Sequence, residues 1–465
     1  MKFILALTFF SLVLASDNNC TKMQKRLTRQ MTKLNDLMSN FTCRASGKVD
    51  LKDLNLSTEM LSSKLSSIGT TIGMVNENVS ATTSSPQLRY CKPGETRPFI
   101  PLPDAENVIL CVVKPESFVK DGFTFDDLDE RLCTHVVLAY AVKILENKDY
   151  EMRLLGDIAP IEKIIKYCKV FDMKVLIEIG SWDGQSFAPK QFSRMAKNKT
   201  ARELFVNNTL GLMQRYEIDG IFLRWLYPVC WFVVCTNGPG VDKPNFSLLL
   251  KYMNKIIRSE SKLVIVDAPS NTFVINTVFE FNEVMGNVDY LAVYTCEYSG
   301  DWSTGTALTA PYKSFMRTLQ FYSKIVSPNK LLATISSEIV PVKLAKIGNT
   351  RIGSYILGRS NYSMDSYVKV CYNVRNNGAT AVKGSDDDYY AYAYKDQTWA
   401  SYDSVDLIRQ KMSFLSTLDH FGGVVFRYLS DDDFNGTVCM SGRYPMLRTI
   451  NEEIRGNKTL VNSYP

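Results

Sequence analysis

Histidine is nearly missing from this chain: 465 residues contain two, His135 and His420. So few imidazoles cannot build the mixed Cys/His spacings that hold zinc, and no metal or other cofactor is called for. Long apolar runs are also scarce. After residue 15 none is long enough to cross a bilayer, so no membrane span is expected. Neither a Gly-x-Ser-x-Gly elbow nor a phosphate loop ending in Gly-Lys-Ser/Thr is present, which removes two common catalytic designs. Positive charge is only slightly in excess, at 54 Lys and Arg against 48 Asp and Glu, and it is spread along the chain. Nucleic acid is thereby excluded as a partner. From residue 16 to residue 89 the chain has no proline before Pro86 and no aromatic but Phe41. That stretch lacks the means to build a core.

What is present describes a folded protein of the secretory pathway. Hydrophobic residues make up 45% and charged residues 22%, the balance of a globular chain. Its length suits one large barrel with an appendage, or two to three ordinary domains. Met1-Lys2 followed by the apolar run Phe3 to Ala15 reads as a signal peptide over residues 1–15, which predicts a secreted, extracellular protein. Asn-x-Ser/Thr sequons follow at Asn19, Asn40, Asn55, Asn78, Asn198, Asn207, Asn245, Asn361, Asn435 and Asn457, a density that fits a glycoprotein. Eleven cysteines suit an oxidising compartment, and the odd count leaves at least one thiol unpaired within the chain.

Residues 16–90 form a polar, glycosylated leader. Met23, Leu27, Met31, Leu34, Met38 and Phe41 recur every three to four residues. The rhythm fits either a helical oligomerisation stalk closed by Cys20 and Cys43, or a flexible leader. A Pro-rich linker occupies 91–105. From 106 to 455 short β-rich runs alternate with helical patterns, which points to βα units around a parallel sheet. Eight strands are predicted, at Val108–Val113, His135–Tyr140, Val175–Ile179, Gly220–Arg224, Leu263–Val266, Tyr290–Thr295, Leu331–Thr334 and Gly423–Phe426. Eight such repeats make a TIM (β/α)8 barrel. The excess length after the seventh strand, about 336–401, predicts a small α+β insertion domain. Residues 456–465 are a C-terminal tail.

In such a barrel the strand C-termini build the functional face. The fourth strand ends Asp219-Gly220-Ile221-Phe222-Leu223-Arg224-Trp225-Leu226-Tyr227-Pro228. It resembles the signature of glycoside hydrolase family eighteen, the chitinases and chitinase-like proteins, which reads Asp-Gly-x-Asp-x-Asp-Trp-Glu-Tyr-Pro. The resemblance continues in Leu132-Cys133-Thr134-His135, in Glu178-Ile179-Gly180-Ser181-Trp182, in the run from Tyr294 to Trp302, in Ser401-Tyr402-Asp403-Ser404 and in Asp432-Asp433-Phe434. It implies a chitinase-like fold. It also implies a disulfide between Cys111 and Cys133 and another between Cys371 and Cys439. Cys230 and Cys235 flank Trp231-Phe232-Val233-Val234 and could close a small exposed loop. Cys91, Cys168 and Cys296 are left without assigned partners, and Cys168 reads as a buried free thiol.

The departures from the signature bear on activity. Phe222, Arg224 and Leu226 stand where the resemblance implies three working carboxylates, and period-two alternation predicts that all three point into the barrel mouth. Leucine carries no proton, and an arginine sets fixed positive charge where the reaction develops positive charge. The chain is therefore expected to be no enzyme. Arg427 replaces the tryptophan that the resemblance places under the reacting sugar, and Glu178, Glu297 and Cys296 are further exchanges. Carbohydrate-binding candidates are Trp182, Tyr227, Glu297, Trp302 and Arg427. A buried arginine needs a partner, so an ion pair of Arg224 with Glu297 or Glu178 is predicted to plug the pocket. Trp225 is expected outside the barrel wall. Asp431-Asp432-Asp433 has the look of a cation site, but its place after the last strand reads as a cap on the barrel end. The run Asp386 to Tyr394 is either an outer groove wall or a β-hairpin. The partners that follow are chitin or a related glycan in an extracellular matrix, or a cell-surface receptor of a growth-factor-like or immune ligand. An oligomer could form through the leader. A residual hydrolase is the remote alternative.

Overall fold

The computed structural model describes residues 107–455 apart from 121, 156–157, 182–186 and 385–388. The leader with Cys20, Cys43 and Cys91, the signal and linker segments, the tail, Trp182, and the sequons at Asn19, Asn40, Asn55, Asn78 and Asn457 lie outside the described residues.

Eight parallel strands close into a barrel: β1 (Val108–Val113), β2 (His135–Leu138), β3 (Lys174–Ile179), β4 (Gly220–Leu223), β5 (Leu263–Ala268), β6 (Tyr290–Val293), β7 (Leu331–Ser336) and β8 (Gly423–Arg427). Each pairs with its neighbours in sequence, and β1 closes the ring against β8 through pairs such as Leu110↔Val425 and Val112↔Arg427. The strands are apolar on both faces because both faces are covered. Leu110, Val112, Val137, Leu176, Phe222, Ile265, Ala292, Leu332 and Val425 fill the interior. Alternate residues such as Ile109, Ile177, Ile221, Val264 and Phe426 pack outward under the helices.

The helices carry the matching stripes. In Tyr312–Tyr322 the buried residues Phe315, Leu319 and Tyr322 recur three and four apart. Ser404 accepts a bond from the Leu407 amide and starts the helix Val405–Leu415. Within that helix Lys411 is buried and bonds both carboxylate oxygens of Asp403, at 2.7 and 2.8 Å. Asp432 accepts from the Met446 and Leu447 amides, both at 3.1 Å, at the start of Pro445–Arg455, while Asp433 binds the Gly436, Val438 and Cys439 amides. These two acidic side chains are spent on loop and helix ends.

Between β7 and β8 the chain builds a five-stranded antiparallel sheet, ordered Ile356–Arg359, Val342–Leu344, Thr398–Ser401, Ala391–Lys395 and Thr380–Lys383, with the helix Tyr367–Asn376. Val342, Leu344, Tyr392 and Trp399 form its small core. The described part of the Asp386–Tyr394 run leads into a β-hairpin, in which Tyr392 stacks on Trp399 at 4.9 Å.

Three disulfides tie loops to this frame: Cys111–Cys133, Cys230–Cys235 and Cys371–Cys439. Cys168 and Cys296 are free and buried among the described residues. Burial pushes the Cys168 thiol up to about 12, which leaves it unreactive near neutral pH.

Candidate functional site at the barrel mouth

Four strands each lead to one ionisable side chain two residues beyond an interior apolar one. Leu176 is followed by Glu178, Phe222 by Arg224, Ile265 by Asp267 and Val425 by Arg427. Because side chains two apart share a face, the four charges form the layer directly above the apolar filling. At most 2% of any of them is exposed. The layer is closed by charge pairing. Arg224 Nε donates to Asp267 Oδ2 at 2.6 Å and Nη1 to Glu178 Oε1 at 3.4 Å, while Arg427 Nη2 lies 2.9 Å from Glu178 Oε2. Glu178 thus bridges two guanidinium groups.

Aromatic rings finish the plug. Arg427 Nη2 donates to Tyr428 Oη at 2.7 Å, and Tyr428 Oη lies 3.3 Å from Tyr140 Oη. The Arg224 guanidinium lies 5.3 Å from the centre of the Tyr294 ring. Burial by itself lowers the pKa of Arg224, but the charges of Glu178 and Asp267 more than offset it, so Arg224 stays a fixed cation. Burial also lifts the Asp267 carboxyl above its ordinary range against the pull of Arg224. Gly180 permits this closure. With φ at +97° its Cβ position would lie 2.0 Å from the Arg224 carbonyl oxygen, a space no side chain can enter.

The expected ion pair is therefore formed with Glu178, and Asp267 is its second carboxylate. The Glu297 alternative is not what the structure builds: the ion-pair partners of Arg224 are Glu178 and Asp267. Sequence reasoning misses Asp267 because a fifth strand read as Leu263–Val266 stops two residues short of the observed end at Ala268. An aspartate closing the run Leu263-Val264-Ile265-Val266 on the interior face was the available signal.

Leu226 also departs from expectation. The extended backbone carries on past Leu223 to Arg224, whose amide donates to the Ile179 carbonyl at 2.8 Å, but it is broken at Leu226, which has a left-handed φ of 60°. Leu226 is fully buried in the apolar cluster that also holds Trp225 and Tyr227, whereas Phe222 belongs to the barrel interior. Trp225 stacks on Phe192 at 5.4 Å and meets Phe246 edge-on at 5.5 Å, beneath the helices Pro189–Lys197 and Asp242–Ile256.

Of the carbohydrate candidates, Tyr227 and Arg427 are buried and engaged within the protein, Tyr227 Oη lying 3.5 Å from Asp267 Oδ1. That removes both from any rim. Glu297 is half-buried, and burial first, then the charge of Glu338, raises its carboxyl to about 7. Trp302 is 63% exposed, and its ring lies across Gly300, where a Cβ would sit 2.3 Å from it. Asp219 is at the opposite, N-terminal end of β4, accepting from the Val175 amide at 2.8 Å and paired with Lys169 at 3.2 Å. After β4, Cys230–Cys235 closes a tight turn that exposes Phe232 and Val234, and Asp242 holds it through the Trp231 indole N–H and the Val229 amide. Among the described sequons, Asn198, Asn207, Asn361 and Asn435 are exposed and Asn245 is half-buried.

Comparison with known proteins gives the same family over the same span. The chain is 26% identical over 355 residues to "Probable chitinase 10" of Drosophila melanogaster, covering 72% of this chain and only 15% of that protein. The catalytic domain 2 of the Group II chitinase of Ostrinia furnacalis superposes with a TM-score of 0.69 at 23% identity, over 76% of this chain and 97% of that one. The human pseudo-chitinase YKL-39, described with retained chitooligosaccharide binding properties, superposes with a TM-score of 0.64 at 18% identity, over 75% of this chain and 100% of that one. Residues 109–432 match the Glycosyl hydrolases family 18, and the chain belongs to that family.

Proposed function

We propose that this is a secreted, glycosylated, non-catalytic member of the family that binds chito-oligomers or a related glycan on the rim of the barrel rather than within it. The observation that carries the reading is the Arg224–Glu178–Arg427 and Arg224–Asp267 network, which lies buried at the barrel mouth with each carboxylate set against an arginine of the protein itself. Glu178 and Asp267 are committed to arginines, Leu226 has no proton to give, and Asp219 is at the wrong end of the barrel. Hydrolysis would need a free acid poised on the leaving oxygen and stabilisation of positive charge. A cation held in that layer opposes the second requirement. Trp302 keeps an apolar ring face open to solvent, as stacking on a pyranose requires. Retention on chitin beads that is lost in Trp302→Ala, together with no fluorophore release from a chitobioside, is the expected result. Release that disappears in Glu297→Gln would restore the hydrolase reading.

A second reading rests on the Cys230–Cys235 turn. Its exposed Phe232 and Val234 offer an apolar contact for a receptor. On that reading the protein binds cell surfaces, Phe232→Ser abolishes the binding, and soluble chito-oligomers do not compete.

A further inference from the structure

We propose that Asn245 carries an N-linked glycan whose first sugars lie against an apolar strip on the outer face of the helix Asp242–Ile256 and shield that flank of the barrel from other chains. The inference rests on the secreted, glycosylated reading above. The strip consists of Val241, Leu248 and Tyr252. Val241 is 53% and Leu248 47% exposed, although an outer helix face is ordinarily polar. Asn245 stands between them. It lies four residues after Val241, to whose carbonyl its amide donates at 3.1 Å, and three before Leu248, so the three side chains share one face with half-buried Tyr252 a turn further on. Helical side chains lean toward the helix N-terminus. A sugar leaving Asn245 therefore passes over Val241, while Leu248 leans back toward Asn245.

Asn245-Phe246-Ser247 is the acceptor sequence. Among the described residues Asn245 has no side-chain hydrogen bond, in contrast to Asn198, whose Oδ1 accepts from the Ala201 amide. Phe246 and Ser247 are buried, and Ser247 Oγ donates to Glu280 Oε2 at 2.6 Å. In the folded protein that hydroxyl is out of an enzyme's reach, so the sugar is attached before the helix packs. Attachment joins Asn245 Nδ2 to the anomeric carbon of the first N-acetylglucosamine, releases an amide proton and expels the diphosphate of a lipid-linked oligosaccharide donor.

Among the described sequons only this one stands between two exposed large apolar side chains on a helix face. Asn207, on the helix Lys199–Arg215, has Glu203 and Gly211 at four-residue spacing, and Asn361 and Asn435 are on exposed loops. Tethering decides the occupant. A glycan on Asn245 is held at the strip at high effective concentration, and its ring C–H groups and acetamido methyl cover Val241 and Leu248 while its hydroxyls stay in water. A second chain would have to displace it.

The full chain secreted from animal cells is digested with peptide-N-glycosidase, native and after denaturation, and the conversion of each sequon from Asn to Asp is followed by mass spectrometry. Asn245 is expected to be occupied and to be released from the native protein at least about tenfold more slowly than the exposed sequons, because reaching it needs a local opening. Denaturation removes the difference. N245Q is expected to raise the binding of anilinonaphthalene sulfonate about twofold or more and to add dimer in gel filtration, since it bares the strip. N245Q/V241S/L248S returns both to wild-type values, and N361Q changes neither. The inference is overturned if Asn245 is bare while other sequons are glycosylated, if it is released from native protein as fast as they are, or if N245Q behaves as N361Q does. Should N245Q not be secreted, the wild-type digestion decides. Absence of sugar from every sequon of the secreted protein overturns the glycosylated reading together with this inference.

Discussion

A guanidinium inside a β-barrel is tolerated only where carboxylates surround it, because stripping it of water costs several kcal/mol that pairing must offset. Arg224 has two such partners, and Glu178 is shared with Arg427. Arg224→Met therefore strands buried carboxylate charge and is expected to destabilise the protein by about 3–5 kcal/mol in urea unfolding. Adding Asp267→Asn should recover part of that loss, with a coupling of about 1 kcal/mol or more. Strict additivity of the two substitutions would show that the pair is not coupled.

Glu297 gives a pH signature at the same scale. Its carboxyl titrates near 4.5 in the unfolded chain and at about 7 in the folded protein. The folded state thus holds the proton more tightly between those values, so this group's contribution to stability is complete below pH 4.5 and is lost as pH rises through 7. At about 1.4 kcal/mol per unit the loss is at most about 3.5 kcal/mol. Glu297→Gln should flatten the dependence of unfolding free energy on pH across that window. An unchanged slope would place the titration elsewhere.

At the scale of elements, the disulfides differ in what they constrain. Cys371–Cys439 ties the helix Tyr367–Asn376 to the loop beyond β8 across 68 residues, whereas Cys230–Cys235 spans 5. Loop-closure entropy then predicts a loss of about 4 kcal/mol for the Cys371→Ala/Cys439→Ala variant and about 2 kcal/mol for Cys230→Ala/Cys235→Ala, read from denaturant midpoints. Equal losses would mean that local packing, not chain entropy, sets their value. The strands themselves were legible in the sequence because each is a β-rich apolar run between helical stripes. Their ends were not. β4 stops at Leu223 and β5 runs on to Ala268, and the second of these boundaries brings Asp267 into the interior layer.

At the scale of the whole molecule, length and periodicity were enough for an eight-stranded parallel barrel with an insertion after the seventh strand. The exchanged signature was enough to place Arg224 and Arg427 among the site residues. Local pattern could not show that Tyr227 and Arg427 are sealed inside while Trp302 stays open, since burial depends on what distant segments bring. The same holds for Asp403 with Lys411. Sequence by itself determined the family frame and the loss of acidic groups from the fourth strand, because side-chain chemistry and strand period are local properties. Only the tertiary structure decided which carboxylates neutralise the new arginines. Glu178, Asp267 and Arg427 come from three different strands, and closing the barrel is what sets their charges within reach of one another.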